Sequence, residues 1–232
     1  MEAFFLDKKE IVLLKETKGE SRPHVEHRNL LRVHGTVCLK KKDYLVVEKC
    51  HSFSFEQLSD RFPFSDKLIA KYLKQLLEGL EALHQQHQAH NWINLGTVHA
   101  TTKGNIIIDQ TEARHQQLSE ADKAANFPWL SPEQLKRDES GPLNDSWAVG
   151  CLALLLATGN PHSKMHPYFS EASEPQLSEI RSKYLEGGKE SREMPNEEEI
   201  SLSLFDLISA CLEVNPKKRQ KVSNLLKLPF FE

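Results

Sequence analysis

The chain has 232 residues, of which 39% are hydrophobic and 27% are charged, and its formal net charge is −3. This composition is typical of a folded globular protein and argues against wholesale disorder. The slightly acidic charge gives no electrostatic basis for nucleic-acid binding. The longest strongly apolar stretch, Trp147 to Ala157, is far shorter than the roughly 20 residues that a membrane-spanning helix needs.

The first 50 residues predict a small group of strands. Leu30 to Cys38 and Tyr44 to Glu48 are the two clearest candidates, and a basic turn over Lys40 to Asp43 joins them. Upstream of them, the sequence has one short apolar run at Ile11 to Leu14. This piece is too short to form an independent domain.

Two features of the sequence bear on the cellular compartment. The N-terminus lacks the charged start and apolar run of a signal peptide, which favours a cytoplasmic or nuclear location. The four cysteines are scattered without a C-x-x-C pair, at Cys38, Cys50, Cys151 and Cys211. That pattern predicts buried free thiols in a reducing compartment.

A long amphipathic helix followed by a hairpin is predicted next. Ser65 is a suitable N-cap, and apolar residues then recur at helical spacing between positions 69 and 83. The hairpin consists of Val98 to Ala100, a turn over Thr101 to Gly104, and Asn105 to Asp109. The polar turn at His90 to Trp92 therefore looks like a catalytic loop between a helix and a hairpin.

The second half of the chain predicts mainly helices. Asp145 to Ala157 is apolar all round, which indicates a helix buried on every side and ended by Gly159. Two further helices are predicted over Leu202 to Leu212 and Val222 to Leu228. The polar stretch Ser163 to Glu199 is predicted to be a surface excursion. The order of elements predicts an α+β fold with a dominant helical part.

Five blocks of the sequence stand in the order and spacing of a known family. In chain order, His27 to Gly35 looks like the family's entry into its fourth strand, and Tyr44 to Glu48 like its fifth strand before the hinge. Ser131 to Glu133 looks like its A-P-E box. Asp145 to Gly150 looks like its D-x-W-x-x-G motif, and Asn215 to Arg219 like its late D-P-x-x-R motif. The chain thus resembles the eukaryotic protein kinases from about His27 to Phe231. This implies one protein kinase-like domain, with a reduced N-terminal lobe and hinge in residues 1–50 and a mainly helical C-terminal lobe in residues 51–232.

The resemblance assigns structural roles to four residues. It implies that Glu133 pairs with Arg219 as a partly buried ion pair. Asp145 is expected to hold the backbone of the catalytic loop, and Trp147 to fill the core of the large lobe. These four side chains stabilise the fold and perform no chemistry.

The catalytic loop departs from the family pattern at the positions that carry chemistry. The family reads H-R-D-L-K-P-x-N, and this chain reads His90-Asn91-Trp92-Ile93-Asn94-Leu95-Gly96-Thr97. The base is replaced by Trp92, the loop lysine by Asn94 and the metal-binding asparagine by Thr97, while His90 remains and Asn91 replaces the arginine. Indole offers no useful basic site. Trp92 is expected either to fill the vacant cleft or to stand exposed as an interface anchor.

The residues that would hold a metal and the nucleotide phosphates are also altered. An ungapped alignment puts Gln110 at the position of the metal-binding aspartate, and this register is preferred; a slip of one residue would put Asp109 there. The sequence has no glycine-rich phosphate loop. Lys15 follows Val-Leu-Leu as in the family's V-A-I-K, but Ile11 to Gly19 is open to a second interpretation, as a remnant of the helix that carries the lysine's glutamate partner.

These losses predict a pseudokinase, meaning a catalytically inactive kinase-like domain that is not an enzyme. It would act as a protein-binding scaffold or allosteric regulator of a signalling partner. The alternative is a divergent serine/threonine kinase with residual ATP binding. The stretch Phe127 to Glu133 is similar to inactive adaptors related to the sterile-twenty kinases. No cofactor is predicted, with weak ATP binding left open, and the expected partner is another protein, either an active kinase or a neighbouring domain of a larger chain.

Overall fold

A computed structural model describes residues 2–5, 10–17, 23–114, 118–137, 141–159 and 200–232. The elements follow one another as strands, a long helix, a hairpin and several helices, so the predicted α+β architecture is confirmed. The surface excursion predicted for Ser163 to Glu199 lies outside the described residues.

The N-terminal part is a four-stranded antiparallel sheet in the order β1-β2-β4-β3. Its strands are β1 Glu2–Phe5, β2 Glu10–Glu16, β3 Val33–Leu39 and β4 Lys42–Glu48. The β3–β4 turn contains Lys40 and Lys41, both with positive φ (51° and 65°), the conformation of tight hairpins whose twist matches that of the strands. Val12, Leu14 and Val46 form a small separate core on this sheet.

The structure decides between the two interpretations of residues 11 to 19. Strand β2 pairs with β1 on one side and with β4 on the other, so the helix-remnant interpretation is wrong. The physical reason is a period of two: Val12 and Leu14 are buried on one face, and Leu13 and Lys15 point to the opposite face. Lys15 therefore leaves the sheet on the face opposite the small core.

A second, three-stranded sheet carries the predicted hairpin. Its strands are β5 Ser52–Ser54, β6 Val98–Thr101 and β7 Ile106–Ile108, in the order β5-β6-β7. Residues 29–31 run beside β7, since Leu31 N donates to Ile108 O at 2.8 Å and Ile108 N donates to Asn29 O at 2.8 Å. These bonds join the segment that leads into β3 to the hairpin of the helical part.

The helical part contains six described helices. They are α1 Asp66–Gln85, α2 Glu120–Asn126, α3 Pro132–Arg137, α4 Pro142–Thr158, α5 Leu202–Cys211 and α6 Val222–Leu225. Helix α1 starts after Ser65, as predicted, and buries the apolar face expected of it. Helix α6 is shorter than predicted and ends at Leu225. Pro229 disfavours helical dihedrals at Leu228, and a 3₁₀ turn follows at Pro229–Phe231.

Helix α4 forms the centre of the helical core. Nearly all of its residues are buried, as its uniform apolarity predicts, and Gly159 ends it with a φ of 70°. It packs closely on α5: a Cβ on Gly150 would lie 2.6 Å from Cys211 Cβ, so only glycine allows this approach. Cys151 and Cys211 are both buried there. Within the described part of the chain, no helix combines the length and the apolarity needed to cross a bilayer.

Candidate functional site

The loop from His90 to Thr97 is held by a buried carboxylate on α4. Asp145 is 0% exposed and accepts hydrogen bonds from His90 N at 2.9 Å and Asn91 N at 2.7 Å. Its Oδ2 also lies 2.8 Å from His84 Nε2 on α1. Asp145 therefore stands where the resemblance places it, under the loop backbone.

Asn91 connects the loop to two other segments. Its φ is 58°, a left-handed conformation that asparagine tolerates better than most residues. Its side-chain oxygen accepts from Gly141 N at 2.8 Å and from Asn144 Nδ2 at 3.1 Å. Its amide nitrogen donates to Arg114 O at 3.1 Å. A neutral side chain thus fixes the loop to the start of α4 and to the segment after β7.

Trp92 is buried at the position of the missing base. Its side chain lies in the interior, with 9% of the residue exposed, and the Arg114 guanidinium carbon lies 5.2 Å from the centre of its ring, a cation–π arrangement. This burial contradicts the exposed interface anchor, and the filling of the cleft by Trp92 stays a prediction.

The other altered loop positions are used inside the loop itself. Thr97 Oγ1 donates to Trp92 O at 3.0 Å, and Asn94 Oδ1 accepts from Gly96 N at 2.9 Å. His90 is fully buried, and its Nε2 lies 3.1 Å from Asp109 O. Burial lowers the pKa of His90, so its ring is neutral at pH 7. These side chains set the shape of the loop and leave no basic group in the place of Trp92.

The charged centre of the site is Lys15 at the end of β2. Its Nζ lies 2.6 Å from Asp109 Oδ2, 2.9 Å from Thr111 Oγ1 and 2.9 Å from Glu112 Oε1. All three partners belong to the short turn after β7, in which Asp109 Oδ1 also accepts from Thr111 N at 3.2 Å and from Thr111 Oγ1. A lysine of the N-terminal sheet thus meets two carboxylates of the helical part.

The contact between Lys15 and Asp109 shifts the pKa values of the two groups in opposite directions. Burial favours the neutral lysine, but the Asp109 and Glu112 carboxylates outweigh it and raise the pKa of Lys15. Burial likewise favours the protonated Asp109, but the charge and hydrogen bond of Lys15 and the bonds from Thr111 lower the pKa of this carboxyl. Both groups are therefore charged across the physiological range.

Gln110 points away from this centre. Its side-chain nitrogen donates to Val25 O at 3.0 Å and Leu31 O at 2.8 Å, and its side-chain oxygen accepts from Val25 N at 3.0 Å. The amide therefore fixes the segment that leads into β3. The sequence register that was preferred assigns the metal position to Gln110, but the structure puts the Asp109 carboxylate beside Lys15.

The residues that could hold a cofactor are those around Lys15. No cluster of three or more metal-ligating side chains exists among the residues with assigned positions. Mg²⁺ is commonly held by one or two carboxylates together with substrate phosphates. Asp109 could supply such a carboxylate, and the ammonium of Lys15 could contact the phosphates.

The ion pair implied for the helical part is present. Arg219 Nη2 donates to Glu133 Oε2 at 3.0 Å, and its Nη1 contacts the other carboxylate oxygen. The guanidinium is fully buried and its carbon lies 4.9 Å from the centre of the Trp147 ring. Glu133 on α3, Trp147 on α4 and Arg219 therefore form one cluster.

The sequence did not bring Lys15 and Glu112 together: it compared Lys15 with the family's V-A-I-K lysine, and it offered Glu112 or Asp109 as a metal ligand of the alternative, divergent kinase. Lys15 carried a signal, since the alternation of Val12 and Leu14 indicates a strand and places the lysine at its end. The sequence around Glu112 has no signal of a contact with Lys15, because that contact depends on a turn that brings together residues 97 positions apart. Long-range charge contacts of this kind have no local sequence pattern.

Comparison with known proteins decides the family. The family model described as "protein kinase domain" matches residues 6–231. The chain belongs to the protein kinase domain family. This protein kinase domain has a small antiparallel sheet as its N-terminal lobe and a helical C-terminal region.

Curated relatives of this kinase domain carry kinase names. Mitogen-activated protein kinase kinase kinase 9 of Arabidopsis thaliana is 30% identical over 212 residues, which are 89% of this chain and 26% of the relative. Mitogen-activated protein kinase kinase kinase 1 of the same plant is 26% identical over 94% of this chain and 35% of its own length. The serine/threonine-protein kinase shk1/pak1 of Schizosaccharomyces pombe is 27% identical over 89% and 30%. The chain spans about a third or less of these proteins.

The prediction that the chain is not an enzyme is contradicted by these relatives, which are named as protein kinases. The physical reason lies in the reaction. Phosphoryl transfer depends mainly on positioning and on stabilisation of phosphate charge. Loss of the base and of the loop lysine is therefore weaker evidence of inactivity than the sequence argument assumed, especially where Lys15 and Asp109 stay together.

Proposed function

We propose that this domain is a divergent serine/threonine protein kinase that binds ATP with a divalent cation at Lys15 and Asp109. The observation that carries the proposal is the 2.6 Å contact between Lys15 Nζ and Asp109 Oδ2. It puts a fixed positive charge and a metal-type carboxylate side by side, between the N-terminal sheet and the loop at His90. The kinase relatives support the same reaction class.

Each group of the site has a distinct task in this proposal. Lys15 neutralises phosphate charge, and Asp109 holds the cation, which shields the phosphates when it is bound. Asp145 keeps the loop backbone in place through His90 and Asn91. Because the pKa of Asp109 is lowered, its carboxylate is available to a cation at neutral pH.

The replacement of the base by Trp92 sets the expected rate. General base catalysis typically contributes about 10² to 10⁴ in rate, and no group in the loop replaces it. Positioning and charge stabilisation do not require that base. The domain is therefore expected to transfer phosphate slowly.

Binding of magnesium and ATP is expected to raise the melting temperature of the wild-type domain. Stabilisation follows from binding to the folded state alone, and amounts to about 2.7 kcal/mol at a ligand concentration 100 times the Kd. Lys15→Met should abolish the shift, since it removes the charge that contacts the phosphates. The measurement is a thermal-shift titration with ATP, with and without magnesium or manganese.

Lys42→Met is the matched control. Lys42 also lies in the N-terminal sheet and forms an ion pair at 2.8 Å with Glu16, but both side chains are more than half exposed and far from the loop in sequence. This variant should keep the full shift. An ATP-dependent shift that survives in Lys15→Met, or the absence of any shift in the wild type at millimolar ATP, would refute the proposed site.

A second role, as a protein-binding regulator of a signalling partner, is favoured by one observation. Trp92 fills the position of the base with a buried indole, while the loop around it keeps its hydrogen bonds to Asp145. A loop that keeps its shape without its base fits a domain whose fold is used for regulation, by a partner kinase or a neighbouring domain that docks elsewhere on its surface. The test is whether adding the purified domain changes the activity of such a kinase, with Trp92→Ala as the comparison.

A further inference from the structure

The ammonium group of Lys15 uses all three of its hydrogens on one turn. A lysine ammonium has three donors and no acceptor. Its three partners are Asp109, Thr111 and Glu112, at 2.6, 2.9 and 2.9 Å. A side chain with four rotatable bonds is thereby fixed at its tip by a short segment that starts at the end of β7.

Among the described side chains of the N-terminal part, none gives Lys15 a further acidic partner. Across the described residues between β2 and β3, no helix forms, and the only carboxylates bonded to Lys15 are those of Asp109 and Glu112. Glu16 forms an ion pair with Lys42 instead. The segment at Val25 is instead bound by the Gln110 amide. Within the part of the chain that the structure describes, the acidic contacts of the lysine thus come from the turn after β7.

Glu112 can orient the ammonium of Lys15 because its other charged contact is longer. Its Oε1 faces Lys15, while its Oε2 is 4.0 Å from Arg114 Nη2. Glu112 is about one-third exposed and Asp109 is nearly buried. Water can therefore reach Glu112, and a cation or phosphate could approach from that side.

We infer that Glu112 is the positioning residue for Lys15, so that the acidic partner of the nucleotide lysine is supplied by the turn after β7 rather than by a helix of the N-terminal lobe. This inference rests on the proposed nucleotide site and names the residue that orders it. When Asp109 binds a cation, Glu112 keeps the ammonium directed toward the phosphates.

The first test uses the ligand-free domain and a double-mutant cycle. Glu112→Gln keeps the size and hydrogen-bonding shape of the side chain and removes its charge. It should lower the melting temperature of the wild type and have no effect in the Lys15→Met background. Glu16→Gln, which breaks the exposed pair with Lys42, should lower it equally in both backgrounds.

The second test is a direct readout of the lysine. The pKa of the Lys15 ammonium, followed by NMR of labelled lysine, should fall in Glu112→Gln because a neighbouring negative charge is lost. It should not change in Glu16→Gln. A role confined to general folding stability would not move this titration selectively.

The third test measures nucleotide affinity with and without magnesium. Glu112→Gln should weaken binding of magnesium ATP about fivefold, the effect of a partly exposed ion pair. It should weaken binding of metal-free ATP less, because the loss of a negative charge favours the free phosphates and partly offsets the poorer positioning of Lys15. A general structural defect would weaken both forms alike.

The outcomes separate this inference from the proposed function. Additive effects in the cycle together with an unchanged Lys15 pKa would overturn the role of Glu112, even if the wild type binds ATP and Lys15→Met does not. Absence of nucleotide binding in the wild type would overturn the proposed function. In that case the cycle and the titration still decide whether Glu112 orders Lys15.

Discussion

Arg219→Met is expected to lower the free energy of unfolding by about 3 to 5 kcal/mol, the range for removing one partner of a buried ion pair. The Arg219 side chain has no exposed surface. Besides Glu133, it donates to Glu213 O at 2.8 Å and Leu143 O at 3.1 Å. The substitution would leave the Glu133 carboxylate, which is only 9% exposed, without its counter-charge.

Urea unfolding followed by circular dichroism measures this loss. Lys218→Met is the matched control, because Lys218 is the exposed neighbour of Arg219; its effect should stay within about 0.5 kcal/mol. The double variant Glu133→Leu with Arg219→Met should cost less than the sum of the two single changes, since it leaves no unpaired charge. A loss below about 1 kcal/mol in Arg219→Met would contradict the buried pair.

Asp145→Ala is expected to cost about 3 kcal/mol or more. It leaves two buried backbone donors, His90 N and Asn91 N, without an acceptor, and each such group costs about 1 to 3 kcal/mol. The contact with His84 is also lost. Because the loop then has no fixed frame, the ATP-dependent thermal shift should decrease as well.

Ser146→Ala is the control for this second variant. Ser146 is the next residue of α4, is equally buried, and its hydroxyl has no hydrogen-bond partner. Removing an unpaired polar group is expected to be neutral or slightly stabilising. Equal losses in the two variants would show that Asp145 acts by packing alone and would contradict its role under the loop.

The fold was largely predictable because its elements have strong local periodicity. The apolar face between positions 69 and 83 predicts α1, and the uniform apolarity before Gly159 predicts the buried α4. The strands β1 and β5 were missed. They are four and three residues long, too short for alternation to stand out.

The site was predictable only in part. The support of the His90 loop by Asp145 is what the resemblance to the kinase motifs implies, and so is the ion pair of Glu133 with Arg219. The partner of Lys15 could not be predicted, because a choice between Asp109 and Gln110 requires knowing which side chain faces the cleft. A one-residue difference in register reverses that direction along an extended segment.

The close contact of α4 with α5 has a consequence for the order in which the domain opens. Two thiols, Cys151 and Cys211, are sealed between these helices, whereas Cys38 is exposed on β3 and Cys50 is partly accessible after β4. The pKa of each thiol is raised, to about 12 for Cys50. Each thiol therefore reacts slowly with an alkylating reagent, and where a thiol is buried, access of the reagent limits the rate. The rates at which the four cysteines are alkylated therefore report separately on the opening of the N-terminal sheet and of the helical core.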